Sequence, residues 1–342
     1  MHFIGRMAAA CAVAAGILSF GLPAQAEPTL AAVKKRGHLL CGVNGQLPGF
    51  SSVDSQGNWS GFEVDFCRAV AAAALGDATK VRFVPVTTAD RFDALRQGRI
   101  DVLTRNTIDT MERTVGTGVR DAAVLYLDRQ VVVVSRELKA DKLVDLNQGT
   151  ICTLANAPYE TALNDWFGTR NLAVKTVLYP DQESLYKALF DGKCNAVSQI
   201  MAALASTIVA GARPFDYVVL PDLVTLQPMA TFVRAGDDAW FDVVRWTFNA
   251  LLHGEDLKLS QATVAGERSS ANPEVRRLLG VEPGYGKRLG LDEAWAFNVL
   301  SQVGNYAEIY DRSVGMRSPL RFARGVNALW DNGGTFFPLP LR

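Results

Sequence analysis

The chain has 342 residues, 35 of them Lys or Arg and 35 Asp or Glu, long enough for two packed domains of about 100–200 residues each. Its zero formal net charge, without a basic stripe or an acidic tail, argues against nucleic acid as a partner. Nearly half the residues are apolar, which excludes an intrinsically disordered chain.

Residues 1–26 differ in character from the rest of the chain. Arg6 precedes an almost wholly apolar, small-residue run over 7–22, and Ala24-Gln25-Ala26 fits a small-residue cleavage pattern. The run is shorter than the roughly 20 apolar residues of a spanning helix. A secretory signal peptide cut after Ala26 is expected, with an exported, soluble mature protein. Removing it removes Cys11 and leaves Cys41, Cys67, Cys152 and Cys194. In an oxidising compartment an even number suggests disulfides. Of the three pairings, the large central gap favours Cys41–Cys67 with Cys152–Cys194, the alternative being four free thiols. With no CxxC and only His38 and His253 left, no metal site and no cofactor are expected.

Residues 30–35 read as a helix stopped by Gly37, and 39–43 as a strand. Residues 44–58, rich in Gly, Pro, Ser and Asn, read as loop or hairpin. Phe62, Phe66, Val70 and Ala73 recur at helical spacing, so 62–74 is a helix carrying Cys67. A strand at 81–86, a short helix at 90–96 ended by Gly98, and a strand at 100–103 come next. A polar run, LTRNTIDTMERTVG (103–116), then bears Arg105 and Arg113. The alternation repeats beyond it. Strands are expected at 131–134, 150–154, 174–179 and 196–198, with helices at 159–167 and 184–191 and a short helix or turn at 143–148. Strands at 217–220 and 229–233 precede three helices at 242–252, 292–303 and 319–330. Alternating strands and helices imply βαβ units and mainly parallel sheets, here an α/β protein of two similar lobes. The expected division is residues 27–130 for the first lobe, 131–227 for the second, and 228–342 for the return and a helical extension. Crossings are expected near 129–136 and 228–234.

Facing α/β lobes place their strand-end loops in an interdomain cleft. Three loop-to-helix turns qualify: Thr87-Thr88-Ala89, residues 106–113, and 156–159, where Asn156 can cap and Pro158 suits a first turn.

Seven stretches carry a resemblance: CGVNGQLPGF (41–50), WSGFEVDFCRAVAAA (59–73), RFDALRQGRIDVLTRNT (91–107), DVVRWTFNALL (242–252), NPEVRRLLG (272–280), VGNYAEIYDR (303–312) and RGVNALWDNGG (324–334). Through them nearly the whole mature chain resembles the periplasmic solute-binding proteins of polar amino-acid ABC transporters, in particular the general L-amino-acid-binding ones. The resemblance implies a two-lobed type II periplasmic-binding-protein fold, closing as a monomer on a small-molecule ligand and delivering it to an ABC permease. It also implies the two bridges that the spacing favours. In Thr110-Met111-Glu112-Arg113 it makes Arg113 the clasp of the ligand's α-carboxylate, a role that suits a planar fork of donors. Asn106 and Thr107 would add donors, Leu47 and Phe50 an apolar wall, and Asn44 and Thr88 further contacts from the first lobe. Asn156, Ala157 and Gln199 would face them from the second.

Three positions depart from the family's pattern. Ile108 replaces a threonine that also touches the carboxylate. Asn156-Ala157-Pro158 replaces a Gly-Thr-Thr turn, and Pro158 has no amide hydrogen to donate. Ile200 stands where the family places the aspartate that pairs with the ligand's ammonium, which opens the cleft to oxo or hydroxy acids. Two other functions share this fold: a periplasmic dehydratase using Asp109, Glu112 or Glu160 as general acid, and a binding protein that serves a sensory receptor.

Overall fold

The computed structural model describes residues 27–210 and 216–341; the signal peptide expected over 1–26 lies outside them. Helix α1 (Thr29–Arg36) ends where Gly37 takes the left-handed conformation, φ 75°. Strand β1 (Leu39–Val43) leads into a small antiparallel sheet of β2 (Gln46–Leu47), β3 (Ser51–Val53) and β4 (Trp59–Ser60). Then come α2 (Phe62–Leu75), β5 (Val81–Pro85), α3 (Arg91–Arg96), β6 (Val102–Ile108), α4 (Met111–Thr114) and β7 (Val119–Ser135). The next stretch holds β8 (Thr150–Leu154), α5 (Tyr159–Gly168), β9 (Lys175–Tyr179), α6 (Gln182–Phe190), β10 (Ala196–Ile200) and α7 (Met201–Ala210). After β11 (Tyr217–Val219) and β12 (Thr225–Arg234) the chain is helical: α8 (Asp238–Asp256), α9 (Pro273–Leu278), α10 (Tyr285–Arg288), α11 (Trp295–Val303) and α12 (Tyr306–Ser313).

The main sheet runs β5-β1-β6-β12-β7-β10-β8-β9, with β11 also on β7. β1 is parallel to β5 and β6, and β8 is parallel to β9 and β10. These two parallel α/β units are joined through antiparallel β7 and β12. Residues 119–130 of β7 pair with β12, and residues 130–135 pair with β10 and β11. At about 3.3 Å per residue this one strand is about 55 Å long, so it belongs to both units. Its Val131–Val134 run has a simple cause. Val132 and Val134 pack on one face against Ile151, Leu163 and Phe167, and Val131 and Val133 on the other against Leu185, Leu189 and Val197. A strand covered on both faces is apolar throughout.

Two expectations are corrected. β6 does not stop at Leu103 but continues through the polar run to Ile108. Its polar side chains find partners far along the chain: Thr104 Oγ1 lies 2.9 Å from Thr231 Oγ1 on β12, and Arg105 Nε donates to Val86 O, just past β5, at 2.6 Å. Residues 319–330 form no helix, only short 3₁₀ turns at Gly325–Asn327 and Trp330–Asn332. There Asn327 binds both the N–H and the C=O of Leu127 on β7, at 2.7 and 3.0 Å, and Arg324 grips Glu255. Long-range partners override the local helical pattern. Helix α12 is additional to the expected elements, although Asn305 and Glu308 form the capping box that starts it.

The structure contains the disulfides Cys41–Cys67 and Cys152–Cys194. The first ties β1 to α2, and the second ties β8 to the turn before β10. Among the described residues no helix is long and apolar enough to cross a membrane.

Candidate functional site

The site begins at an irregularity in β6. Its pairing with β12 shifts between Ala230 and Thr231, so that Arg105 and Asn106 are extra residues between paired Thr104 and Thr107. Such a bulge re-aims side chains. Asn106 sits in it at φ 27°, a sign of φ that asparagine tolerates better than most residues. Its amide N–H donates to the buried carboxylate of Glu63, and its Oδ1 accepts from Asn44 Nδ2 at 2.9 Å. Glu63 also accepts from Ser51 Oγ at 3.0 Å. Burial holds this carboxyl up at about 7, against the lowering effect of those donors and of Arg105.

The backbone donor expected of Asn106 is therefore engaged within the protein. The Thr107 hydroxyl is likewise spent on Arg105 O, at 2.6 Å. Leu47 and Phe50 are buried, and Phe50 meets Tyr126 edge-on at 5.1 Å. Thr88 is exposed. Asn156 does not cap α5; its backbone is left-handed, φ 58°, and Pro158 stands at the N-cap. Ala157 is half-buried, and Gln199 is buried with its Oε1 turned back onto Ile200 N–H at 3.0 Å. Of the carboxylates considered for general acid chemistry, Asp109 and Glu112 both act on Arg113, while Glu160 is engaged elsewhere. Glu112 is exposed, Glu160 accepts from Thr176 Oγ1 at 2.5 Å, and Asp109 is half-buried, which raises its carboxyl.

Arg113 projects from α4, half-buried. Nη1 donates to Ile108 O at 2.7 Å on β6, and Nη2 to Asn156 O at 3.1 Å, after β8. One guanidinium thus touches both α/β units, and among the described residues no carboxylate forms an ion pair with it. Burial weakens its hold on its proton, the cost of desolvating a cation.

Four site groups escape the sequence pattern. Arg91 opens α3 and is only 4% exposed. A cation in the first helical turn opposes the helix dipole, and that oddity is its one visible signal. Arg105 ranks behind Arg113 in the sequence, yet it is buried in the bulge of β6. Tyr159, at the start of α5, lies within electrostatic reach of all three arginines. Asp128 is the fourth, on β7 and 2% exposed. Its carboxylate accepts Arg129 N–H at 2.7 Å and Ala202 N–H at 3.2 Å. It therefore sits at the start of α7, immediately after Ile200, where the expected aspartate is absent.

Burial raises Asp128 from 3.8 to about 7. Between those values the folded carboxyl keeps a proton that the unfolded chain has released, so stability falls as pH rises through that window. Glu63, also raised to about 7, acts in the same direction. Asp128→Asn removes the buried charge at the cost of one acceptor, and should stabilise the unliganded protein by about 2 kcal/mol at pH 8. Urea unfolding at pH 5 and pH 8 checks this; a variant that keeps the full wild-type pH dependence would contradict it.

Residues 39–263 match the family model for bacterial extracellular solute-binding proteins, family 3. The chain is 40% identical over 333 residues to the General L-amino acid-binding periplasmic protein AapJ of Rhizobium johnstonii, covering 97% of this chain and 98% of that one. It is 36% identical to the Glutamate/glutamine/aspartate/asparagine-binding protein BztA of Rhodobacter capsulatus, covering 99% and 98%. Among solved structures, the ABC transporter periplasmic binding protein of Brucella ovis with glutathione bound superposes with a TM-score of 0.88. That protein is 40% identical, and the match covers 92% of this chain and all of that one.

Proposed function

Because the chain belongs to the bacterial extracellular solute-binding proteins, family 3, we propose that it is the periplasmic binding component of an ABC importer. It closes on an amino acid or related small carboxylate and presents it to a membrane permease. The observation that carries this reading is Arg113, which reaches both units of the fold and, among the described residues, hydrogen-bonds to two backbone carbonyls and to no carboxylate. A ligand carboxylate in the cleft meets the remaining hydrogens of its fork, a charge-assisted contact strengthened by partial burial. Residues 27–130 and 228–342 act as one lobe and 131–227 as the other, turning about β7 and β12. Export through the 1–26 leader brings the protein, as a monomer, to the permease. AapJ, BztA and the glutathione-bound protein of Brucella ovis set the ligand classes to try: amino acids, their amides and small γ-linked peptides.

The ligand's ammonium is met by Asp128 rather than by a residue of β10. Ile200 offers it nothing, and an ammonium buried without an acid is costly by several kcal/mol. Asp128 is the buried carboxylate beside that position, and a cation next to it relieves the desolvation that raises its pKa.

A thermal-shift panel tests both parts. Glutamate, glutamine, alanine and glutathione are compared with 2-oxoglutarate and lactate. Amino-acid ligands should raise the melting temperature by several degrees at about 1 mM, and the acids lacking an ammonium should not. Equal shifts from oxo or hydroxy acids would remove Asp128 from the site. No shift with any carboxylate would remove the transport reading.

A further inference from the structure

We propose that the cavity between α8, α9 and residues 330–341 is a second binding site, outside the cleft, for a small primary amine that also carries a neutral acceptor oxygen, such as an amino alcohol. This goes beyond the transport reading and uses none of the residues named for the cleft.

The cavity holds about 360 Å³, room for a small molecule. Its α9 and C-terminal walls lie beyond residues 39–263, the part that matches the family model. Among the described residues three buried side-chain nitrogens lack a hydrogen-bond partner, and two of them, His253 Nδ1 and Arg277 Nε, belong to residues that line this one cavity. His253 is 1% exposed. Its Nε2 lies 2.7 Å from Leu339 O. A carbonyl only accepts, so Nε2 carries the hydrogen. Burial makes the ring harder to protonate, which leaves Nδ1 a bare acceptor. The half-exposed Glu274 carboxylate stands 3.8 Å from Nδ1, too far for a hydrogen bond. Both groups are acceptors, and a donor with several hydrogens placed between them serves both. A primary ammonium is such a donor.

Asp256 lines the same cavity, and Asp331 and Glu274 add to burial in raising its carboxyl. Three carboxylates thus act within reach of one another, against the single cation Arg277. That balance favours a cationic guest over an acid or a zwitterion. Trp330 and Phe337, both exposed, offer ring faces to the same charge. The Nε–H of Arg277 lacks only an acceptor, and a neutral oxygen on the guest supplies one without adding negative charge.

Isothermal titration of the full mature protein with ethanolamine and with choline tests this. Wild type should bind ethanolamine with a dissociation constant on the order of 1–10 mM. Choline has no N–H to give Nδ1 and should bind at least about tenfold more weakly. Glu274→Gln should weaken ethanolamine binding at least about tenfold, change amino-acid binding by less than about threefold, and melt within a few degrees of wild type. His253→Gln, which keeps a donor toward Leu339 O, should weaken ethanolamine binding likewise. No binding up to about 50 mM, equal binding of choline, or wild-type ethanolamine affinity in either variant would overturn the inference. Amino-acid binding is read separately, so the transport reading stands or falls on its own titration.

Discussion

Arg113→Ala is expected to weaken ligand binding by about 4 kcal/mol, close to a thousandfold, while the unliganded protein melts within a few degrees of wild type. The two halves of this prediction come from different contacts. In the absence of ligand the guanidinium donates to two backbone carbonyls, Ile108 O and Asn156 O. Each such bond contributes about 1 kcal/mol net, because water replaces it at a half-exposed site. With ligand bound, the same fork meets a carboxylate that has left water, and truncation leaves that charge unmatched inside a closed cleft. Ile108 sharpens the dependence on Arg113, since it cannot help hold the carboxylate as a threonine would. Titration calorimetry and a melting curve on the same preparation decide it. A large loss of unliganded stability with little loss of affinity would make Arg113 a structural clamp between the two units.

Removing the disulfides should produce the largest change in stability. Constraining loops of 26 and 42 residues lowers the entropy of the unfolded chain by the equivalent of about 3.5 and 4 kcal/mol at 25 °C in the loop-closure account. Cys152→Ala with Cys194→Ala should therefore lower the melting temperature by roughly 10 °C. Alanine serves better than serine, because these cysteines are buried and an unpaired hydroxyl there would add its own penalty. Ligand affinity should stay within about threefold, since neither bridge reaches Arg113 or Asp128. A double variant that melts within about 2 °C of wild type would show that the bridge constrains little.

Much of the fold was legible because its causes are local. Gly37 and Gly98 stop helices by adopting positive φ. Val131–Val134 announces a strand buried on both faces, and the 26- and 42-residue spacings separate the cysteines into two groups. The proposed clasp, Arg113, was legible only through the resemblance of one short word, Thr110-Met111-Glu112-Arg113, in which one residue type carries the proposed chemistry. Asn156 has the side chain of a helix cap, yet it does not cap; its contribution is a carbonyl offered to Arg113.

The sequence by itself determined the alternation of strands and helices, and its cysteine spacings favoured the pairing that the structure contains. Both depend on spacing along the chain. Tertiary structure alone decided that Thr104–Thr107 would be strand rather than loop, since the Thr104 hydroxyl, the Arg105 guanidinium and the Asn106 amide groups find partners on β12 and at Val86, Glu63 and Asn44. It also decided that Asn327 would unwind an expected helix to bind Leu127 on β7. Asp128 came to lie beside Ile200 because β7 and β10 pair across about 70 residues of sequence. The worth of a buried polar group is set by whichever partner the fold brings within about 3 Å, and that partner is usually far away along the chain.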